Sequence, residues 1–545
     1  MTIPTARSHP RSASTSTTSD GTGPDAAIET VATKSRTTVG ASKVLAPFAL
    51  GPVAAIAAVA GLILVVRAGR YDYFGDELYF LAAGRRLSAG YVDQGPLLPL
   101  VARLMDAIAP GSIVALRLPA IIMGLAGIAL AAALAREFGA GRGAQLLAGL
   151  GYASCPFLVT QAATLSTFAF DATLSAVIVW LSLVWIRTRR DGVLLVAALV
   201  AALDIEVKLL IPVLLTGIGL GVIVFGPRAM LGRPALWLGV LTVAAVAAPG
   251  LWWQAANGWP QLDMGTVIRS EQLAAAGGPA SVPIQLATLA GVLGSVLALG
   301  GFWRVVRYPE WREYRFLAVA AAGQIGFVLV SGGRPYYLAG LLPVLFAAGA
   351  AGVSVCDLRR WWRGVGIAVV AVAVTIAVAL TVLLPLPTSR LHNPTRTPHE
   401  QSTRMRIFGT TGWSELVAAV RAADARLDPS ERPRTVIVAQ TYWQAAAIDR
   451  LGGADLPAVY SPNRGFAFFG TPPDSATTVL YITAGAAEPA LRPLFSQVEP
   501  VVRVDDPLGF PGISSRVTVW KCLGPTSNWS ELWRTRTTSV LDPGL

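Results

Sequence analysis

Charge is scarce in this chain. Of its 545 residues 14% are Asp, Glu, Lys or Arg and 53% are hydrophobic, whereas soluble proteins carry about 25% charged residues. That shortfall excludes a single water-solvated globule. Cysteine is scarcer still. Cys155, Cys356 and Cys522 are scattered, with no CxxC or Cys/His spacing, which argues against a structural metal site. Only one of them falls beyond residue 387, so an internal disulfide there is excluded. The three histidines, His9, His392 and His399, argue against a His-based zinc centre. No short apolar stretch with a cleavage site opens the chain, so no secretory signal is expected.

Long apolar runs are abundant: 45–66, 112–135, 143–161, 168–186, 192–204, 209–226, 235–252, 283–303, 316–331, 338–355 and 364–386. These are eleven candidate membrane helices, several a little short of the ~20 residues a crossing needs. Asp204, Glu206 and Lys208 split the fifth from the sixth, which reads as two short helices or one broken excursion. The formal net charge of +12 does not imply nucleic-acid binding, because the basic residues sit between apolar runs rather than on one face of a soluble domain. They orient the chain instead. With the N-terminal tail inside, loops 136–142, 187–191, 226–234, 304–315 and 357–363 face the cytoplasm and hold 14 Lys/Arg against 5 Asp/Glu, as the positive-inside rule requires. Loop 67–117 and everything after about residue 387 then face outward, across the cytoplasmic membrane.

Residues 1–43 are rich in Ser, Thr, Ala, Pro and Gly and read as a disordered cytoplasmic tail. Residues 44–386 form the membrane domain, with an outer loop at 67–112. Residues 387–545 carry more charge and short β-branched runs at 435–439, 477–482 and 516–520; with a helix at 441–453 they predict a small extracytoplasmic α/β domain. The expected fold class is thus mainly α and polytopic, with an α/β appendage.

Four outward clusters are candidates for chemistry. The first, YDYFGDELYFLAAGRRLSAGYVDQGPLLPL (71–100), brings Asp76, Glu77 and Asp93 to the membrane surface among Tyr71, Tyr73, Tyr79 and Tyr91. Adjacent Asp and Glu on a helix point about 100° apart, so only one can aim into a given cavity. The other would cap the helix or meet a basic partner, and both could be first-turn residues favoured by the helix dipole. Asp171, in STFAFDATLSA, is the second; a carboxylate beside an apolar run is either functional or a snorkelling interface group. The third is Lys208, and the fourth is Arg334 in SGGRPYYLAGLLPVLFAAGA (331–350), with Tyr337 beside it. Each cation alone reads as an interfacial anchor. Together the four share one face of the membrane.

The stretch DELYFLAAGRRLSAGYVDQGPLLPL resembles the first outer loop of bacterial family-39 glycosyltransferases, relatives of the protein O-mannosyltransferases and aminoarabinose transferases. Its Asp-Glu pair is followed by a tyrosine and by a G-Y-V-D-x-P-P-like turn. Gly95 replaces the first proline of that turn, a departure that implies a looser loop. APGLWWQAANGWPQLDM (248–264) and GGRPYYLAGLLPVLFAAGA (332–350) are similar to later signatures, and TYWQAAAIDRLGG and LPAVYSPNRGFAFFGTPP (456–473) to the outer domain. The likeness runs from about Leu45 to about Pro473. It implies a GT-C fold, a polyprenyl-phosphate-linked sugar donor, and a protein, glycan or lipid acceptor on the outer face. By that similarity Asp76 is the general base with Glu77 supporting it, Lys208 and Arg334 face the lipid phosphate, Asp171 is a second acidic position, and Tyr79, Asp93 and Tyr337 belong to donor binding.

Elementary chemistry agrees with this. A sugar hydroxyl is a poor nucleophile and benefits from a carboxylate base, whereas a phosphate leaving group needs positive charge rather than an acid. No Gly-rich phosphate loop is present, so no nucleotide-sugar site is expected. No cofactor is implied, although carboxylates could hold a hard divalent cation. The alternative is a transporter or flippase of lipid-linked sugars, which favours mid-membrane charges and related halves; neither is evident. An outward sensor built on the C-terminal domain leaves the Asp-Glu loop without a purpose.

Overall fold

A computed structural model describes residues 45–353, 360–395, 397–485, 487–505 and 509–541. The expected tail at 1–43, Cys356 and part of loop 357–363 lie outside the described residues. Each of the eleven apolar runs is helical over most of its described residues. Among the described residues seven helices are long and apolar enough to cross a membrane: Leu50–Ala68, Ile113–Glu137, Thr167–Thr188, Pro234–Ala256, Pro279–Arg307, Pro335–Val353 and Trp361–Leu383. The other four runs make shorter helices. The run 143–161 is not one span: it breaks at Ser154–Cys155 into Arg142–Ala153 and Pro156–Gln161, because Pro156 supplies no N–H to continue the ladder. The runs 192–204 and 209–226 are separate helices, Asp191–Ile205 and Ile211–Val224, with Lys208 in the turn between them.

Loop 67–112 folds into two helices, Gly75–Arg85 and Leu97–Ile108. The second is amphipathic. Leu98 and Ala102 are fully buried while Leu100, Leu104 and Ile108 are exposed, a face suited to lying along a bilayer surface.

The C-terminal part is built on a five-stranded sheet of order β2-β1-β3-β5-β4, comprising β1 Thr435–Ala439, β2 Val459–Tyr460, β3 Thr478–Ala484, β4 Phe495–Val504 and β5 Val517–Pro525. β1 pairs in parallel with β2 and β3, and β5 runs antiparallel to both β3 and β4. Strand alternation sorts the core. Val436, Val438, Val479 and Cys522 pack with Trp529 and Trp533 on one face. Ile437, Ala439, Leu480 and Ile482 point to the other, against Trp413, Leu416, Trp443 and Ile448. Leu78, Tyr79 and Leu81 of the helix Gly75–Arg85 belong to that second core, so sheet and membrane loop share one hydrophobic interior. The β4 strand escaped the β-branched pattern because it is an edge with Pro500 at a register shift, where a missing N–H is tolerated.

Candidate active site

The Asp-Glu pair separates as helix geometry demands. Glu77 is fully buried. It accepts from the Phe74 backbone N–H (2.9 Å), capping its own helix, and from the Leu165 N–H (2.7 Å). Arg117, equally buried, grips it with Nε at 2.9 Å and Nη2 at 2.6 Å. The same guanidinium donates to the carbonyls of Ala68, Tyr71 and Asp72. All four hydrogen bonds that Glu77 accepts thus come from the protein's own framework.

Asp76 points the other way, into a cavity of about 90 Å³. Its Oδ1 accepts from the Tyr442 hydroxyl (2.7 Å) and the Trp443 indole N–H (3.0 Å), both from the helix Tyr442–Leu451 of the sheet domain. Oδ2 accepts from none of the described residues and stays available. Thr441 starts that helix with a capping box closed by Gln444, which aims Tyr442 and Trp443 at the loop. The approach needs a glycine: a Cβ on Gly75 would lie 2.2 Å from the Trp443 ring. Burial first, and the Asp76 charge second, push the Tyr442 phenol well above its usual range, so it remains a proton donor to Asp76.

The cavity draws together residues from six distant segments, among them Asp76, Tyr79, Asp93, Lys208, Arg334 and Tyr337. Lys208 Nζ lies 3.9 Å from Asp93 Oδ2 and 4.8 Å above the Phe168 ring. Arg334 donates to the Tyr336 hydroxyl and to Glu271, each at 2.9 Å. Arg464, from the sheet domain, reaches the other oxygen of Glu271 and lies over the Tyr442 ring. Two lining carboxylates, Asp76 and Asp93, therefore face three lining cations, Lys208, Arg334 and Arg464. That donor set fits an anionic ligand; among the described residues no group of three or more His, Cys, Asp and Glu could hold a metal ion. Two lining donors, the Tyr79 hydroxyl and Gln94 Nε2, are buried without a partner among the described residues; unpaired buried donors are costly and point to a polar ligand. Burial raises the Tyr79 hydroxyl well above its usual pKa, so it too would donate.

Asp171 is buried but outside the lining, within the charge field of Lys208; Thr167 and Phe168, a turn earlier, line the cavity instead. Gly95 does not loosen its loop. Its N–H donates to the Val207 carbonyl (3.3 Å), and a Cβ there would lie 2.2 Å from the Glu206 carbonyl oxygen. Glycine allows an approach and a hydrogen bond that proline could not make. Tyr442, Trp443, Glu271 and Arg464 escaped the sequence reading. The only hint was that Tyr442, Trp443 and Arg464 fall inside two segments already noted for resemblance.

Residues 93–253 match the family described as dolichyl-phosphate-mannose-protein mannosyltransferase, a stretch that includes Asp93, Asp171 and Lys208 and stops short of Asp76. No curated protein matches the sequence. ArnT from Cupriavidus metallidurans in the apo state superposes with a TM-score of 0.58 at 15% identity, covering 86% of this chain and 97% of that one. The same protein bound to undecaprenyl phosphate gives 0.56 at 14% identity, covering 87% and 98%. The chain is a multi-pass membrane protein with the fold of ArnT, and its residues 93–253 are similar to that mannosyltransferase family.

Proposed function

We propose that this protein transfers a sugar from a polyprenyl-phosphate-linked donor to an acceptor hydroxyl at the outer face of the cytoplasmic membrane, by single-displacement inversion. The observation that carries the reading is one small cavity holding a carboxylate with a free oxygen, Asp76, beside three cations. ArnT bound to undecaprenyl phosphate supports the donor class. In this reaction Asp76 Oδ2 takes the acceptor proton as the acceptor oxygen bonds to the sugar anomeric carbon. The bond from that carbon to the phosphate oxygen breaks, and the polyprenyl phosphate departs as an anion. Lys208, Arg334 and Arg464 stabilise it where water is scarce and charge-assisted hydrogen bonds are strong. Glu271 now bridges Arg334 and Arg464, keeping both guanidiniums in place for a phosphate to engage.

Polyprenyl-phosphate affinity in nanodiscs tests the site. Arg334→Ala is expected to weaken it by roughly tenfold or more, the scale of a lost charge-assisted hydrogen bond. Arg334→Lys should recover only part of that, because a point charge cannot reproduce the guanidinium fork. Lys208→Ala should weaken binding as well. Unchanged affinity in both alanine variants would make these residues interface anchors and move the phosphate site elsewhere.

Sidedness has its own test. Ala89 and Ser475 are exposed near the cavity loop and in the sheet domain, and Arg190 is exposed at the opposite loop. A membrane-impermeant maleimide added to intact cells is expected to label Ala89→Cys and Ser475→Cys but not Arg190→Cys. Labelling of Arg190→Cys alone would reverse the orientation.

A further inference from the structure

A second and larger cavity, of about 430 Å³, opens in the sheet domain, within the size range of small-molecule sites. The six-residue turn Arg464–Phe469 is shared between the two cavities: Arg464 and Gly465 line the smaller, Phe466 and Phe469 the larger. The Phe469 ring stacks on Tyr79 at 5.7 Å, so this ring pair partitions them. The helix Gly75–Arg85 links them as well. Asp76 begins it, and Arg85 and Arg86 at its end line the larger cavity, about 14 Å away along the axis at 1.5 Å per residue.

The lining has a defined chemistry. Tyr460 and Phe469, both half-buried, offer flat aromatic surface of the kind that pyranose rings stack on. Arg86 lies over both phenylalanine rings, 5.7 and 5.5 Å from their centroids, and forks Asp449 at 2.8 and 3.1 Å. Arg85 is held only loosely. Its contacts to Asp449 are 3.4 to 3.5 Å long, and its side chain is 45% exposed. Arg450, the third lining guanidinium, is paired with Asp106; Arg85 and Arg86 against Asp449 leave one positive charge in excess, carried by the arginine that is free to re-aim. Arginine in that state takes carboxylate or phosphate oxygens in pairs.

We propose that this cavity is an acceptor subsite for a glycan bearing an anionic group. Its rings would stack on Tyr460 and Phe469, and its anion would pair with Arg85. The chain bound there extends toward Asp76 around the Tyr79–Phe469 partition. This rests on the transfer reading above.

The test uses the full chain in nanodiscs of zwitterionic lipid, with a hyaluronan tetrasaccharide as the acidic probe, cellotetraose as the neutral one, and inorganic phosphate as the bare anion. Saturation-transfer NMR and titration should show the acidic tetrasaccharide binding most tightly. Arg85→Gln, which leaves the Arg86–Asp449 pair intact, should weaken acidic binding roughly tenfold and leave cellotetraose unchanged. Tyr460→Leu should weaken both sugars. Equal binding of the two sugars, no effect of Arg85→Gln, or phosphate binding as tightly as the acidic tetrasaccharide would each overturn the proposal. Donor affinity in Arg85→Gln should stay at the parent level. Loss of transfer with tetrasaccharide binding intact would sink the proposed reaction without touching this site.

Discussion

Asp76→Asn is expected to slow sugar transfer by roughly 10²–10⁴-fold, the range for losing a general base, while polyprenyl-phosphate affinity stays nearly unchanged. The substitution keeps the volume and still offers a carbonyl oxygen to Tyr442 and Trp443, which both converge on Oδ1. It removes only the oxygen that could take a proton. Single-turnover transfer with a lipid-linked donor separates chemistry from binding. A smaller loss is expected for Tyr442→Phe, because Trp443 still holds the carboxylate. If Asp76→Asn turns over at the normal rate, the base is another group, and Asp93 is the remaining lining carboxylate.

Glu77→Ala is expected to fail differently. It leaves the Arg117 guanidinium buried and uncompensated in a site with no solvent access, and breaking a buried pair from one side costs about 3–5 kcal/mol. Arg117→Ala should cost a similar amount, since it also abandons the carbonyls of Ala68, Tyr71 and Asp72. The prediction is a large fall in the thermal midpoint in detergent for both variants, against almost none for Asp76→Asn. Wild-type stability in Glu77→Ala with a loss of turnover would instead return Glu77 to the chemistry. Two neighbouring acids should thus separate into one activity defect and one folding defect.

The helical runs were legible because lipid permits so few backbone solutions: a long apolar stretch must satisfy its own hydrogen bonds, and a helix does that locally. The parallel strands β1 and β3 were legible for a related reason, being β-branched and buried on both faces. Edge strand β4 was not, since its exposed residues and Pro500 answer to a neighbour rather than to a local pattern. Likewise Pro156 could be seen in the sequence, but whether it would bend a helix or break it depended on what packs around it.

The sequence by itself determined that the chain crosses a membrane, that its sheet domain follows the last span, and that Asp76 and Glu77 cannot face the same way, because all three follow from local hydropathy and helical periodicity. Only the tertiary structure decided which acid faces the cavity. That choice depends on Arg117, forty residues from Glu77, and on Tyr442 and Trp443, more than three hundred and sixty from Asp76. Charge pairs and hydrogen bonds across such separations leave no periodic trace in the chain. They exist once apolar burial has brought the sheet domain down onto the outer loop, and Gly75 is small enough to let Trp443 close on it.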